Sequence, residues 1–172
     1  MRVLGLLPLA LLLSSAANAE KLVFDHRLYP ALKQVLDDNR GEMVLYDASN
    51  PRYVIDRIAV AGKSAKKWSE ALEIIARTPT AKVKTAADWM AELRAQADRR
   101  CRNEIAVIVQ DDASITYERR SQQCPAERAP VAIYRVIAGK RSLFLLAVLS
   151  KSELGDAQRR QWLELLASAH LD

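Results

Sequence analysis

The chain has 172 residues, of which 50% are hydrophobic and 27% charged, as in an ordinary globular domain. Its 26 lysines and arginines exceed its 21 acidic residues by a modest net charge of +5. No nucleic-acid recognition motif is present, and the export signal at the N-terminus would separate the protein from nucleic acid, so we expect no nucleic-acid partner.

The first 19 residues have the features of an export signal. Arg2 precedes an apolar core from Val3 to Leu13, and Ala17-Asn18-Ala19 forms a small-x-small cleavage pattern. The apolar core is shorter than the ~20 residues that a membrane-spanning helix needs. We therefore expect a cleaved signal peptide at 1–19 and a single domain at 20–172. That domain should lie in the periplasm or outside the cell, with no transmembrane segment.

The first half of the exported chain predicts one helix and two strands. Apolar residues recur at helical spacing between Asp25 and Asp38, with Pro30 in the first turn, where its missing N–H costs nothing. Short runs rich in apolar and β-branched residues, Met43–Tyr46 and Arg52–Ala61, predict strands. The next segment, Trp68–Arg77, fits a helix and a strand almost equally well. Its good helix formers slightly favour the helix.

A helix capped by Thr85 follows, and after it comes a hairpin that carries both cysteines. The strand-like runs around Val107 and Tyr117 pair best when Val109 faces Ile115. That register brings Cys101 and Cys124 within one residue of facing each other. Exported proteins with two cysteines usually pair them. We therefore predict a structural disulfide that closes the open end of the hairpin.

The second half predicts another hairpin and a last helix. Val131–Ala138 and Ser142–Leu149 flank a turn at Gly139-Lys140. The second of these strands is apolar on both sides, which indicates the middle of a sheet. Ser150-Lys151-Ser152-Glu153 has the pattern of a capping box before the last helix. The fold class that follows is α+β, with an antiparallel sheet of about five or six strands packed by helices.

No motif of catalysis, metal binding or cofactor binding is present. The two histidines, His26 and His170, lie near opposite ends of the exported chain and lack an informative context. We expect no metal, no cofactor and no catalytic residue. The alternative is a small periplasmic hydrolase with a carboxylate site around Glu118 and Asp111.

A basic surface is the candidate binding site. Arg135 interrupts an apolar strand, so its guanidinium must either reach a carboxylate such as Glu118 or open toward a groove. In the second case the sheet face would hold an acidic group, because a guanidinium binds carboxylates and phosphates with two bonds. The partner would be an acidic envelope component or another envelope protein. The candidate residues are Tyr117, Glu118, Arg119, Arg120, Tyr134 and Arg135.

The segment Trp68-Ser69-Glu70, and the order of elements around it, resembles small exported bacterial proteins of the PsbP-like α/β/α sandwich type. The resemblance implies a non-catalytic accessory or binding role. It also implies that the tryptophan segment is a strand, against the helix that propensity favours.

Overall fold

The computed structural model describes residues 20–77, 85–125 and 128–172. The predicted signal peptide at 1–19 lies outside the described residues. The described part contains three α-helices and nine strands, and two 3-10 turns precede and follow the first helix. The elements are β1 (Leu22–Val23), α1 (Pro30–Asp37), β2 (Val44–Asp47), β3 (Tyr53–Ser64), β4 (Lys67–Arg77), α2 (Ala86–Asp98), β5 (Arg102–Gln110), β6 (Ser114–Gln122), β7 (Val131–Ala138), β8 (Leu143–Ser150), α3 (Asp156–Ser168) and β9 (His170–Leu171).

Seven of the strands form one antiparallel sheet in the order β2-β3-β4-β8-β7-β6-β5. The α+β class is confirmed, but the sheet is larger than the five or six strands predicted. β8 lies in the middle, as its apolar sequence on both sides predicted, and nearly all of its residues are buried. The two remaining strands, β1 and β9, pair with each other and join the ends of the domain.

The segment Trp68–Arg77 lies within strand β4, so the helix favoured by local propensity is wrong. β4 pairs with β3 on one side and with the central β8 on the other. Ala71 and Leu72 are fully buried although they face opposite sides of the sheet. Two strand partners and burial on both faces outweigh a helix preference of a few tenths of a kcal/mol per residue.

The β5–β6 hairpin carries the disulfide. Cys101 and Cys124 are bonded, with their Cα atoms 5.1 Å apart and 23 positions apart in sequence. Most of the hairpin keeps the predicted register, for example Val107 opposite Tyr117. Near the turn a bulge shifts the pairing by one residue, so Val109 faces Thr116 and not Ile115. The prediction therefore holds at the disulfide end of the hairpin and is wrong at the turn.

The helices cover both faces of the sheet. α1 and α3 pack on one face against residues such as Leu72 and Ile133, and α2 packs on the other face against Tyr117 and Val136. The N-terminal cap of α2 is Thr85, as predicted, and it shares a reciprocal capping box with Asp88.

The predicted capping box at Ser150–Glu153 is wrong, because α3 begins five residues beyond Lys151, at Asp156, with Gly155 as its cap. Ser150 instead ends β8, and its hydroxyl accepts from the backbone N–H of Ser152 and donates to the Ser152 carbonyl. The side chain thus makes a local turn, a common alternative use of serine near helix starts. No helix in the described ranges is long and apolar enough to cross a membrane.

Candidate functional site

The structure divides the six candidate residues between the two faces of the sheet. Neighbouring strand residues point to opposite faces, so Arg119 and Arg120 cannot share a site. Tyr117, Arg119 and Tyr134 lie on the face that α2 covers, where the two tyrosine rings stack with their centroids 4.8 Å apart. The second set faces α3 on the opposite side and consists of Glu118, Arg120 and Arg135.

The set that faces α3 is engaged in internal contacts. Glu118 is buried, and its Oε2 accepts from the Nε of Arg159 on α3 at 2.9 Å. Arg120 Nη2 lies 2.9 Å from the other carboxylate oxygen of Glu118, and Arg120 also binds Glu153. One interpretation of the sequence required Arg135 to pair with Glu118, and the structure shows that it does not. It donates from Nη1 to the Thr116 hydroxyl at 3.1 Å, and its buried Nε has no hydrogen-bond partner among the described residues.

Arg119, on the α2 face, is a buried cation whose hydrogen-bond partners are all neutral. The residue is 4% exposed. Its Nε donates to the Tyr134 hydroxyl at 3.1 Å and its Nη2 to the Ala129 carbonyl at 3.2 Å, and Nη1 donates to the Ser121 hydroxyl. The remaining contact is with the Asn103 side-chain oxygen. A buried guanidinium is costly without a counter-charge. Among the described residues no carboxylate pairs with it.

Two more arginines lie beside Arg119. Arg128, on the loop between β6 and β7, is half-buried, and its Nη1 has no hydrogen-bond partner among the described residues. Burial, together with repulsion from Arg119 and Arg100, lowers the pKa of Arg128. Arg100 follows the C-terminal end of α2 and is exposed. Three guanidinium groups therefore converge, and no carboxylate among the described residues is in contact with them.

These arginines line a groove of about 450 Å³ that we call the arginine groove. Tyr134 forms part of its wall beside the three arginines. The opposite part is formed by Trp68, Leu149 and the ion pair of Arg57 with Glu73, in which Arg57 Nε donates at 2.6 Å. A smaller cavity of about 140 Å³ adjoins it under α2 and shares Arg100, Arg119, Arg128 and Tyr134 with it. The unpaired positive charge thus lies where the two cavities meet.

Local backbone features hold the two sides of the groove in place. β3 is bulged near Gly62, whose φ of +115° is strained for other residues. A Cβ at Gly62 would lie 2.6 Å from the Cα of Trp68, so glycine lets the start of β4 approach closely. On the other side, Pro125 follows the disulfide residue Cys124, and its carbonyl accepts from the backbone N–H of Arg128 at 3.0 Å.

The sequence analysis found Arg119 and Tyr134 but missed the rest of the groove. Arg100 belongs to the doublet at the end of α2, where positive charge is expected for the helix dipole alone. Arg57 and Trp68 lie on the β3–β4 hairpin, far in sequence from Arg128, and only the strand order brings the hairpin to that arginine. The alternation of faces along β6 was the one available signal, because it separates Arg119 from Arg120.

The carboxylates proposed for a hydrolase have structural partners. Asp111 accepts from the backbone N–H groups of Ala113 and Ser114 at 2.8 and 2.6 Å, and the hydroxyl of Ser114 also donates to it. These bonds lower the pKa of Asp111, so the carboxylate stays charged at the hairpin turn. Glu118 is held by two arginines. Across the described ranges, no group of three or more histidine, cysteine or acidic side chains is placed to bind a metal ion.

A second buried carboxylate, Glu70, lies on the same face of the sheet as Glu118, against α3. Its Oε1 accepts from the Tyr29 hydroxyl and from Trp162 Nε1, both at 2.6 Å, and its Oε2 accepts from Gln158. The rings of Tyr29 and Trp162 stack at 3.7 Å between centroids. Burial and the hydrogen bond to Glu70 raise the pKa of Tyr29. This network joins α1, β4 and α3 inside the core, so we regard it as structural.

Comparison with known proteins does not assign the chain to a family. No protein-family model matches it, and no curated protein matches it significantly.

Proposed function

We propose that this protein is a non-catalytic binding protein of the bacterial envelope and that it holds an anionic ligand in the arginine groove. The observation that carries the proposal is Arg119, a buried cation with only neutral partners. Arg128 and Arg100 add positive charge beside it. An oxyanion bound among them would supply the missing counter-charge. The planar guanidinium group can hold a carboxylate or a phosphate with two bonds.

The chemistry of the groove favours binding over catalysis. Among the described residues that line it, the one carboxylate, Glu73, is paired with Arg57, and none is a histidine, serine or cysteine. Such groups supply most general bases and nucleophiles. The hydroxyl of Tyr134, which also lines the groove, accepts a hydrogen bond from Arg119. The arginines stay protonated near neutral pH and act as hydrogen-bond donors.

The location in the envelope rests on the signal sequence and on the disulfide. Disulfides persist in oxidising compartments such as the periplasm, and the bonded pair Cys101–Cys124 fits that setting. Export should remove residues 1–19 and leave Glu20 as the first residue. The intact mass of the exported protein measures this directly. A mass that retains residues 1–19 would contradict the expected cleavage.

Titration with inorganic phosphate and with succinate tests the proposed function. We expect heat of binding for at least one of these anions with the wild-type protein by isothermal titration calorimetry at low salt. The affinity should fall as salt rises, because screening weakens exposed charge contacts. Arg128→Gln should weaken binding at least about tenfold, since a hydrogen bond to a charged group contributes about 1.5–3 kcal/mol.

Arg160→Gln is the matched control. Arg160 is exposed on α3, which packs on the other face of the sheet, and the substitution removes the same unit of charge. We expect its affinity to remain close to wild type. Equal losses in the two variants would mean that diffuse surface charge attracts the anion. The groove would then lose its assignment as a binding site.

A further inference from the structure

The arginine groove is larger than a small oxyanion needs, and its two sides differ in chemistry. The side next to the adjoining cavity carries Arg100, Arg119 and Arg128. The far side, which does not line the adjoining cavity, includes Trp68 and Leu149. A volume of about 450 Å³ falls in the range of pockets that hold small organic molecules.

The two charged residues that line the far side, Arg57 and Glu73, are paired with each other. Arg57 is bound to Glu73, with its Nε 2.6 Å from the carboxylate oxygen, and it also donates to the Ala65 carbonyl at 3.3 Å. An anionic group therefore gains most at the near side, where the arginines have no paired carboxylate. The far side offers mainly apolar surface and one aromatic ring.

Trp68 is placed to contact a ligand and is held by two cations. The Arg57 guanidinium carbon and the Lys151 ammonium nitrogen lie 5.9 and 5.1 Å from the centre of its ring system. Such cation–π contacts restrict the indole, so a bound molecule meets a ring that is already oriented. The indole is half-buried and lines the groove.

We propose that the groove binds an amphipathic anion, with its phosphate or carboxylate group among Arg100, Arg119 and Arg128 and an apolar or aromatic body against Trp68 and Leu149. This inference rests on the proposed function and adds the chemical class of the ligand. A small organic phosphate and the headgroup region of an anionic lipid share this chemistry.

Calorimetric titration with phenyl phosphate and inorganic phosphate separates the contributions of head and body. We expect phenyl phosphate to bind the wild-type protein about tenfold more tightly, the ratio that about 1.4 kcal/mol of ring contact gives. Trp68→Ala should reduce the ratio to near one. Trp68→Phe keeps an aromatic ring and should retain most of the ratio, which shows that any loss in the alanine variant is specific to the ring.

The outcomes distinguish this inference from the function on which it rests. If both probes bind the wild-type protein equally, the amphipathic class is wrong and simple anion binding stands. If neither binds and succinate does not bind either, the proposed function fails as well. Titration with a soluble short-chain anionic phospholipid then shows whether the apolar part of the ligand is an acyl chain or a ring. Tighter binding than phenyl phosphate indicates an acyl chain, and weaker binding indicates a flat ring; both outcomes support the amphipathic class.

Discussion

Removal of the disulfide should destabilise the domain by an amount that follows from the loop it closes. Cys101 and Cys124 are 23 positions apart, and constraining a loop of that length in the unfolded chain contributes about 3 kcal/mol by the chain-entropy relation. For a domain of this size, that loss corresponds to a melting temperature about 6–12 °C lower. We therefore expect the double variant Cys101→Ser, Cys124→Ser to fold and to melt at a clearly lower temperature.

Thermal unfolding followed by circular dichroism, with and without a reductant, measures this effect. The reductant should lower the melting temperature of the wild-type protein toward that of the double variant and leave the variant unchanged. The variant should also bind anions more weakly, because Cys124 adjoins Pro125 and the loop that carries Arg128. Equal melting temperatures for the oxidised wild-type protein and the double variant would refute the entropic argument. Two titratable thiols in the native protein would refute the disulfide itself.

Two further predictions concern the buried carboxylate of Glu70 and the carboxylate of Glu20, which binds the turn between β7 and β8. Glu70→Leu should lower the free energy of unfolding by about 2–6 kcal/mol in urea denaturation, because it leaves two buried donors, the Tyr29 hydroxyl and Trp162 Nε1, without an acceptor. Glu164→Leu, at an exposed site on α3, is the control, and similar losses in both would contradict this role. Glu20 accepts from the backbone N–H groups of Arg141 and Ser142, each at 3.1 Å, and its hydrogen bond with the Ser142 hydroxyl is the main cause of its lowered pKa. The stability that Glu20 contributes is therefore present above its usual pKa of 4.5 and is lost as the pH falls through the lowered pKa. The free energies of unfolding of wild type and Glu20→Gln in urea should differ at pH 6 and converge near pH 2. A difference that stays constant with pH would contradict the linkage.

The sequence predicted those elements whose local pattern and tertiary environment agree. The central position of β8 followed from its apolar residues on both sides, and the cap of α2 from Thr85. Trp68–Arg77 stayed open between helix and strand, with a slight preference for the helix, because good helix formers occupy a strand that is paired on both sides. The bulge beside Val107 shifted a register that alternation alone makes regular. Neither the two partners of β4 nor the bulge is encoded within a short window of residues.

The candidate site was only partly predictable for a related reason. Tyr134 and Arg119 were identified, but Arg135 was placed with Arg119 although register puts it opposite Thr116, on the other face. The groove gathers residues from β3, β4, β6, β7 and the loop after the disulfide. The strand order that makes these elements neighbours depends on long-range pairing, which no single motif in the chain specifies.

The most direct test of the central claim is to observe the arginine side chains while an anion binds. Two-dimensional nuclear magnetic resonance of the arginine Nε–H groups, recorded as inorganic phosphate or succinate is added, reports on each guanidinium separately. The account predicts saturable shifts for Arg119 and Arg128 and little change for Arg135, which faces the other side of the sheet. Shifts centred on Arg135, or no shifts at Arg119 and Arg128 at anion concentrations that produce heat of binding, would contradict it.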